Sequence, residues 1–135
     1  MTTQECGWEA SMNFEALGKP VTGPRRTLES FPAPDHVTHI TMRCEEVTSI
    51  CPVTGQPDFE TVIIEYEPAG LGIESKSLKL YLWSFRDEGI FCEMLAARVA
   101  DDVLAAVRPR RCTVTVEQRP RGGISIRAIA ERTGE

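Results

Sequence analysis

Hydrophobic and polar positions change rhythm twice along this chain. From 39 to 47, HITMRCEEV alternates, so Ile40, Met42 and Cys44 share one face of a predicted strand. FETVIIEYEP, starting at 59, alternates through Val62, Ile64 and Tyr66, and Pro68 closes that strand. The period then lengthens. In SKSLKLYLWSFRDE, Leu78, Leu82 and Phe85 fall at helical spacing. In IFCEMLAARVADDVLAAV, Phe91, Leu95, Val99 and Val103 do the same, with Met94 alongside. Gly89 separates the two predicted helices, and Pro109 stops the second. Alternation returns in CTVTVEQ, through Val114 and Val116, and in ISIRAIAE, through Ile124, Ile126 and Ala128. The Pro-Arg-Gly-Gly stretch between these two strands reads as a hairpin turn.

The predicted order is strand, strand, helix, helix, strand, strand. An α+β domain satisfies it, with an antiparallel four-stranded sheet carrying both helices on one face. Such a sheet has two open edges, so subunits are expected to join edge to edge. Residues 1 to about 35 carry Gly18, Pro20, Gly23, Pro24, Pro32 and Pro34 with little periodicity. They are expected to form an irregular N-terminal arm that orders against a neighbour, leaving 36–135 as the single folded domain.

Composition narrows the partners. The net charge of −5 and pI near 5.1 argue against a non-specific nucleic-acid binder, while leaving a small anionic ligand open. No apolar run is long enough for a bilayer, and MTTQECGWEA lacks the features of a signal peptide, so no membrane partner and a cytoplasmic location are expected. The five cysteines, Cys6, Cys44, Cys51, Cys92 and Cys112, are scattered and odd in number, which favours free thiols. His36 and His39 lie near Cys44, but no second spaced pair completes a tetrahedral set, so no metal is expected.

Four stretches carry candidate chemistry, and each has a plainer reading beside it. SICPVTGQPDFE places Cys51 and Asp58 around a Pro/Gly loop: a reactive pair, or a buried small hydrophobe and a turn residue. ESKSLKLY puts Lys76 and Lys79 on the first turn of a helix. There an anion would relieve their conflict with the macrodipole; otherwise they form a solvated face. In GIFCEML, Glu93 can accept hydrogen bonds from a purine-like ring edge or serve as a surface charge. In RPRGGIS the glycines make the turn, and Arg121 is a phosphate clamp or a solvating charge.

Taken together, SICPVTGQPDFE, ESKSLKLY, SFRDEGIFCE and PRGGIS resemble the NADPH-dependent 7-cyano-7-deazaguanine reductases of queuosine biosynthesis, in their short single-module form. The resemblance runs from LESFP at 28 to GGISI at 126. ESKSLKLY resembles the motif that separates these reductases from their fold relatives, the GTP cyclohydrolases I. It implies the tunnelling fold, assembled into barrels, with active sites between subunits of a homo-oligomer built as stacked pentamers in a decamer. It implies reduction of the nitrile to 7-aminomethyl-7-deazaguanine, a precursor for tRNA modification, with no direct nucleic-acid contact. Cys51 matches the nucleophile that forms a covalent thioimide, and Asp58 the general acid. Ile73, Glu74 and Ser75 match a substrate-binding segment, and Glu93 the glutamate that holds the pyrimidine edge. Lys76, Lys79 and Arg121 are the candidates for the NADPH phosphates.

At one substrate-pocket position the chain departs from the family's commoner His-Glu: here it is Cys92-Glu93. Cysteine can shape a pocket, but it is a poorer proton carrier at neutral pH, so the change bears on turnover more than on binding. Two alternatives stand beside the reductase. One is an amidinotransferase-type enzyme of the same fold, acting on the nitrile already placed in tRNA. The other is a non-catalytic purine- or pterin-binding scaffold.

Overall fold

A computed structural model describes residues 23–134. Cys6 and the first part of the expected arm lie outside the described residues. The elements are β1 (Ser30–Pro32), β2 (Ile40–Ile50), β3 (Pro57–Glu67), β4 (Leu71–Ile73), α1 (Ser75–Trp83), α2 (Cys92–Val107), β5 (Arg111–Arg121) and β6 (Ile124–Thr133). The four long strands form one antiparallel sheet in the order β2-β3-β5-β6, as the alternation predicts. Two short strands, β1 and β4, form a separate antiparallel pair that sequence periodicity did not predict. Three residues are too few to show a period.

The core lies between the sheet and the helices. Leu95, Val99, Val103 and Val107 recur at i, i+4 on α2, and all four are fully buried against Val62, Ile64, Val114 and Val116 of the sheet. Each such side chain contributes about 1.5–3 kcal/mol relative to exposure. Phe91 and Met94, which the helical spacing placed on this face, are instead 49% and 60% exposed. Phe91 is the N-cap, outside the helix, so the helical period does not apply to it. α2 ends where Arg108 takes a left-handed conformation (φ 45°) before Pro109. α1 is shorter than its apolar spacing suggests: it stops at Trp83, and Phe85 is buried from the following turn, edge-on to Tyr81.

The described segment just before β1 packs on the helical part of its own chain. The Arg25 amide donates to the Leu80 carbonyl, and the Arg26 guanidinium lies 3.8 Å over the Phe85 ring while pairing with Glu88. β1 then seals onto β4. Gly72 is required there, because a Cβ would meet the Phe31 ring at 2.7 Å.

Two β-bulges set which way the ends of the sheet point. In β2, Ile40, Met42 and Cys44 turn toward the core, but the register slips between Cys44 and Val47, so beyond the slip the inward residues are Val47 and Ser49. Cys51 continues that inward alternation. A second slip, between Gln118 and Arg121, redirects the end of β5. The turn that follows has positive φ at both Gly122 (60°) and Gly123 (81°), the two-glycine hairpin the sequence predicts. Among the described residues, no helix is long and apolar enough to cross a membrane.

Candidate active site

The bulge in β2 and the alternation of β3 bring Cys51, Asp58 and Glu60 to one end of the buried face. Asp58 is not a turn residue: it is the second residue of β3, opposite Ser49, and only 2% exposed. The loop from 51 to 56 closes on itself, with the Cys51 amide donating to the Gln56 carbonyl (2.8 Å) and the Gly55 amide to the Cys51 carbonyl (2.9 Å). That closure wraps donors around the sulfur. The Thr54 hydroxyl, the Thr54 and Val53 backbone N–H groups, and Arg121 together pull the Cys51 thiol down to about 7. Arg121 Nη2 lies 3.5 Å from the sulfur.

Arg121 also reaches Asp58. Its Nε is 3.1 Å from Oδ1, an ion pair whose N–H is not aimed at the oxygen, so Oδ1 accepts no hydrogen bond. A buried carboxylate oxygen without a donor is rare and expensive in a folded protein.

The second wall is the start of α2. The Ile50 amide donates to the Glu88 carbonyl and the Ile90 amide to the Ile50 carbonyl, clamping the end of β2 beside the residues that open the helix. Cys92 is 1% exposed, and its thiol faces Glu93 Oε1 at 3.6 Å. Burial, then the charge and hydrogen bond of Glu93, then Glu60 and Asp58 push the Cys92 thiol up to about 12. It is therefore a neutral thiol at any physiological pH and carries no proton in or out. Glu93 is exposed in the first turn of α2, where the helix dipole favours it.

The remaining candidates gather where β4 enters α1. The Ile73 amide donates to the Tyr66 hydroxyl (2.8 Å), which fixes β4 against β3. Glu74 is the N-cap of α1, its carboxylate accepting from the Lys76 and Ser77 amides. Those amides belong to the helix N-terminus at which an anion is expected, so the Glu74 carboxylate already meets part of that demand. Ser75 and Lys79 border a groove between α1 and β2, together with Met42, Cys44, Leu78 and Leu82. Within one chain the structure thus joins Cys51, Asp58, Cys92, Glu93 and Arg121, and collects Ile73, Glu74, Ser75, Lys76 and Lys79 at a second place.

Sequence reasoning missed Thr54, Ser49 and Glu60. Thr54 gave no signal, because its effect depends on how the loop closes. Glu60 did give one: it stands two residues after Asp58, on the same face of an alternating strand as Val62, where an apolar residue is expected.

The thiol supplies the first testable outcome. Thiolate absorbance, taken as the difference between the protein and Cys51→Ala, is expected to titrate with a midpoint near 7, the thiolate growing as pH rises. A midpoint at about 8.5, the value of an unassisted cysteine, would show that the loop donors do not act on the sulfur.

A thiol held low beside a buried carboxyl, on a sheet layered by two helices, marks an α+β domain with a candidate active site. Comparison with known proteins sharpens that class. A family model described as QueF-like protein matches residues 57–135. The NADPH-dependent 7-cyano-7-deazaguanine reductase of Frankia casuarinae is 50% identical over 87% of this chain and 94% of its own length. The reductase of the same name from Syntrophus aciditrophicus is 52% identical over 80% of this chain and 79% of its own. Among solved structures, an archaeosine synthase of the QueF-like type, in its apo form, superposes with a TM-score of 0.68 at 28% identity, covering 73% of this chain and 96% of that one. The chain belongs to the QueF-like family, and its fold is the tunnelling fold.

Proposed function

We propose that this chain is an NADPH-dependent nitrile reductase of queuosine biosynthesis, converting 7-cyano-7-deazaguanine to 7-aminomethyl-7-deazaguanine through a thioimide on Cys51. The observation that carries this reading is the Cys51 thiol, held down to about 7 and set beside the donor-free Oδ1 of Asp58. Membership of a family whose relatives bear that reductase name supports the substrate and the cofactor.

The residues divide the work. A nitrile is a poor hydride acceptor, and addition of the Cys51 thiolate turns its carbon into a C=N centre that accepts hydride more readily. Asp58 gives the nitrogen its proton as the C–S bond forms. Arg121 stabilises the thiolate before attack and holds Asp58 in place, so we assign it to the nucleophile rather than to a cofactor phosphate. Glu93 holds the amidine-like edge of the base, and Ile73, Glu74 and Ser75 line the substrate's other side. Cys92 fills space under the base as a neutral thiol.

Lys76 and Lys79 suit the phosphates of NADPH. No acidic residue stands in the first turn of α1, Lys79 is exposed, and Glu74 already occupies two amides, so ammonium groups rather than free N–H groups would meet the phosphate. When bound, NADPH supplies the hydrides of both reduction steps.

The working form we propose is a homo-oligomer, a decamer, with sites shared between subunits and no direct contact to nucleic acid. Supporting it, β2 and β6 are open sheet edges. Exposed Val53, Phe59, Phe91 and Met94 flank Cys51, Asp58 and Cys92-Glu93, so the rim of the site is apolar.

The test has two arms. Mixed with the nitrile and no NADPH, the protein is expected to gain the substrate's mass as a covalent adduct. With NADPH present, two NADPH should be consumed per nitrile and the product should have the mass of the amine. Binding without adduct or oxidation would leave only a scaffold, and an amidine product would indicate the archaeosine-type chemistry.

A further inference from the structure

We propose that Glu60 is the proton reserve of this site, a positioning residue that reloads Asp58 between the two reduction steps. The inference rests on the nitrile-reductase reading.

The reaction needs two protons. Addition of the thiolate forms a C–S bond, breaks one C≡N π bond, and leaves the nitrogen to take the first proton. The first hydride adds to that carbon, and the C–S bond then breaks to return the thiolate and leave C=NH. The second hydride completes the CH2, and the nitrogen takes the second proton. Two NADPH become two NADP+, and two protons are consumed. Asp58 holds one. The imine between the steps would hydrolyse if water entered freely, so the second proton is best stored inside the protein.

Glu60 is placed to store it. It lies two residues beyond Asp58 on β3, on the same buried face, and is 1% exposed. Along a strand that spacing separates the two Cα atoms by about 6.6 Å with both side chains on one face, and Asp58 is close enough for its charge to act on Glu60. Ser49 Oγ lies 3.0 and 3.1 Å from its two carboxyl oxygens. One hydroxyl hydrogen serves one oxygen at a time, which leaves the other for a proton. The groups facing Glu60 are Asp58 on its own strand, Cys92 at the start of α2, Ser49 on β2 and Gln118 opposite on β5. Arg121 is committed to Asp58 and Cys51, and no cation pairs with Glu60 among the described residues. Burial first, and then the charge Asp58 bears once it has given up its proton, push the Glu60 carboxyl up to about 7, against the pull of the Ser49 hydroxyl. An acid that titrates there can both hold and release a proton at neutral pH. Cys92, standing where family members commonly have histidine, cannot.

Glu60→Gln tests this. It keeps the shape and the bond to Ser49 but cannot carry a titratable proton. The variant is expected to form the covalent adduct with the nitrile at the wild-type rate, which needs only the proton of Asp58 and shows that the fold is intact. Given NADPH, the preformed adduct should be reduced to amine on the order of 10²-fold more slowly. In the wild type this reduction should slow as pH rises through about 7, where Glu60 loses its proton, and Glu60→Gln should lack that dependence. Reduction at the wild-type rate with the same pH profile would overturn the proposal. So would loss of the adduct itself, which would make Glu60 a structural residue. A wild type that forms no adduct defeats the reductase reading instead.

Discussion

Cys51→Ala is expected to abolish nitrile-dependent NADPH oxidation, a fall of at least roughly 10⁴-fold, and to remove the covalent adduct entirely. The magnitude follows from what the sulfur does. Without it the hydride must add to an unactivated nitrile, and neither of the other two buried thiols can substitute. Cys92 is pushed up to about 12 and Cys112 to about 11 by burial, so neither offers a thiolate at neutral pH. A 10⁴-fold loss corresponds to about 5.5 kcal/mol of barrier, the order that removal of a nucleophile costs other covalent enzymes. Cys51 sits at the edge of the core rather than in it, and alanine is close to it in size, so folding and substrate binding should survive. The measurement is NADPH absorbance together with intact-protein mass. A variant that still oxidises NADPH at a tenth of the wild-type rate would place the nucleophile elsewhere.

The long elements were readable because their periods are long enough to see. Four i, i+4 residues of α2, and the alternation from Val62 to Tyr66, each repeat a physical requirement several times. The site was readable only in part. The resemblance singled out Cys51 and Asp58, yet the periodicity of β2 alone, continued from Ile40, Met42 and Cys44, would have turned Cys51 away from the core. The extra residue between Cys44 and Val47 reverses that parity, and nothing local in Glu45-Glu46 announces it. The contacts of Arg121 within the chain were not legible because its partners are 63 and 70 residues away in sequence; only the β5 bulge and the two-glycine turn bring it to Asp58 and Cys51. Glu74 shows the reverse case. A carboxylate ahead of Lys76 and Ser77 is a cap signal by position, and it takes the amides a phosphate was expected to use.

Asp58→Asn should separate the acid from the nucleophile. The amide matches the carboxyl in shape but has no proton to give, so turnover is expected to fall by about 10²- to 10⁴-fold, the range general acid catalysis supplies. The thiolate should be untouched. Cys51 is held down by Thr54, by the Val53 and Thr54 amides and by Arg121, and Asp58 is not among the causes, so the thiolate midpoint near 7 should persist in the variant. Stability should move the other way from activity. Asp58 is buried with one oxygen lacking a donor, while its partner Arg121 is 39% exposed and can be hydrated once released. Replacing that carboxyl, which buries an oxygen without a donor, with an amide should therefore leave the melting temperature unchanged or raise it. This is the pattern of a group kept for chemistry at the expense of the fold. A variant that loses stability and activity together, or that shifts the Cys51 midpoint toward 8.5, would show Asp58 to be part of the scaffold that holds the sulfur rather than the acid that serves the nitrogen.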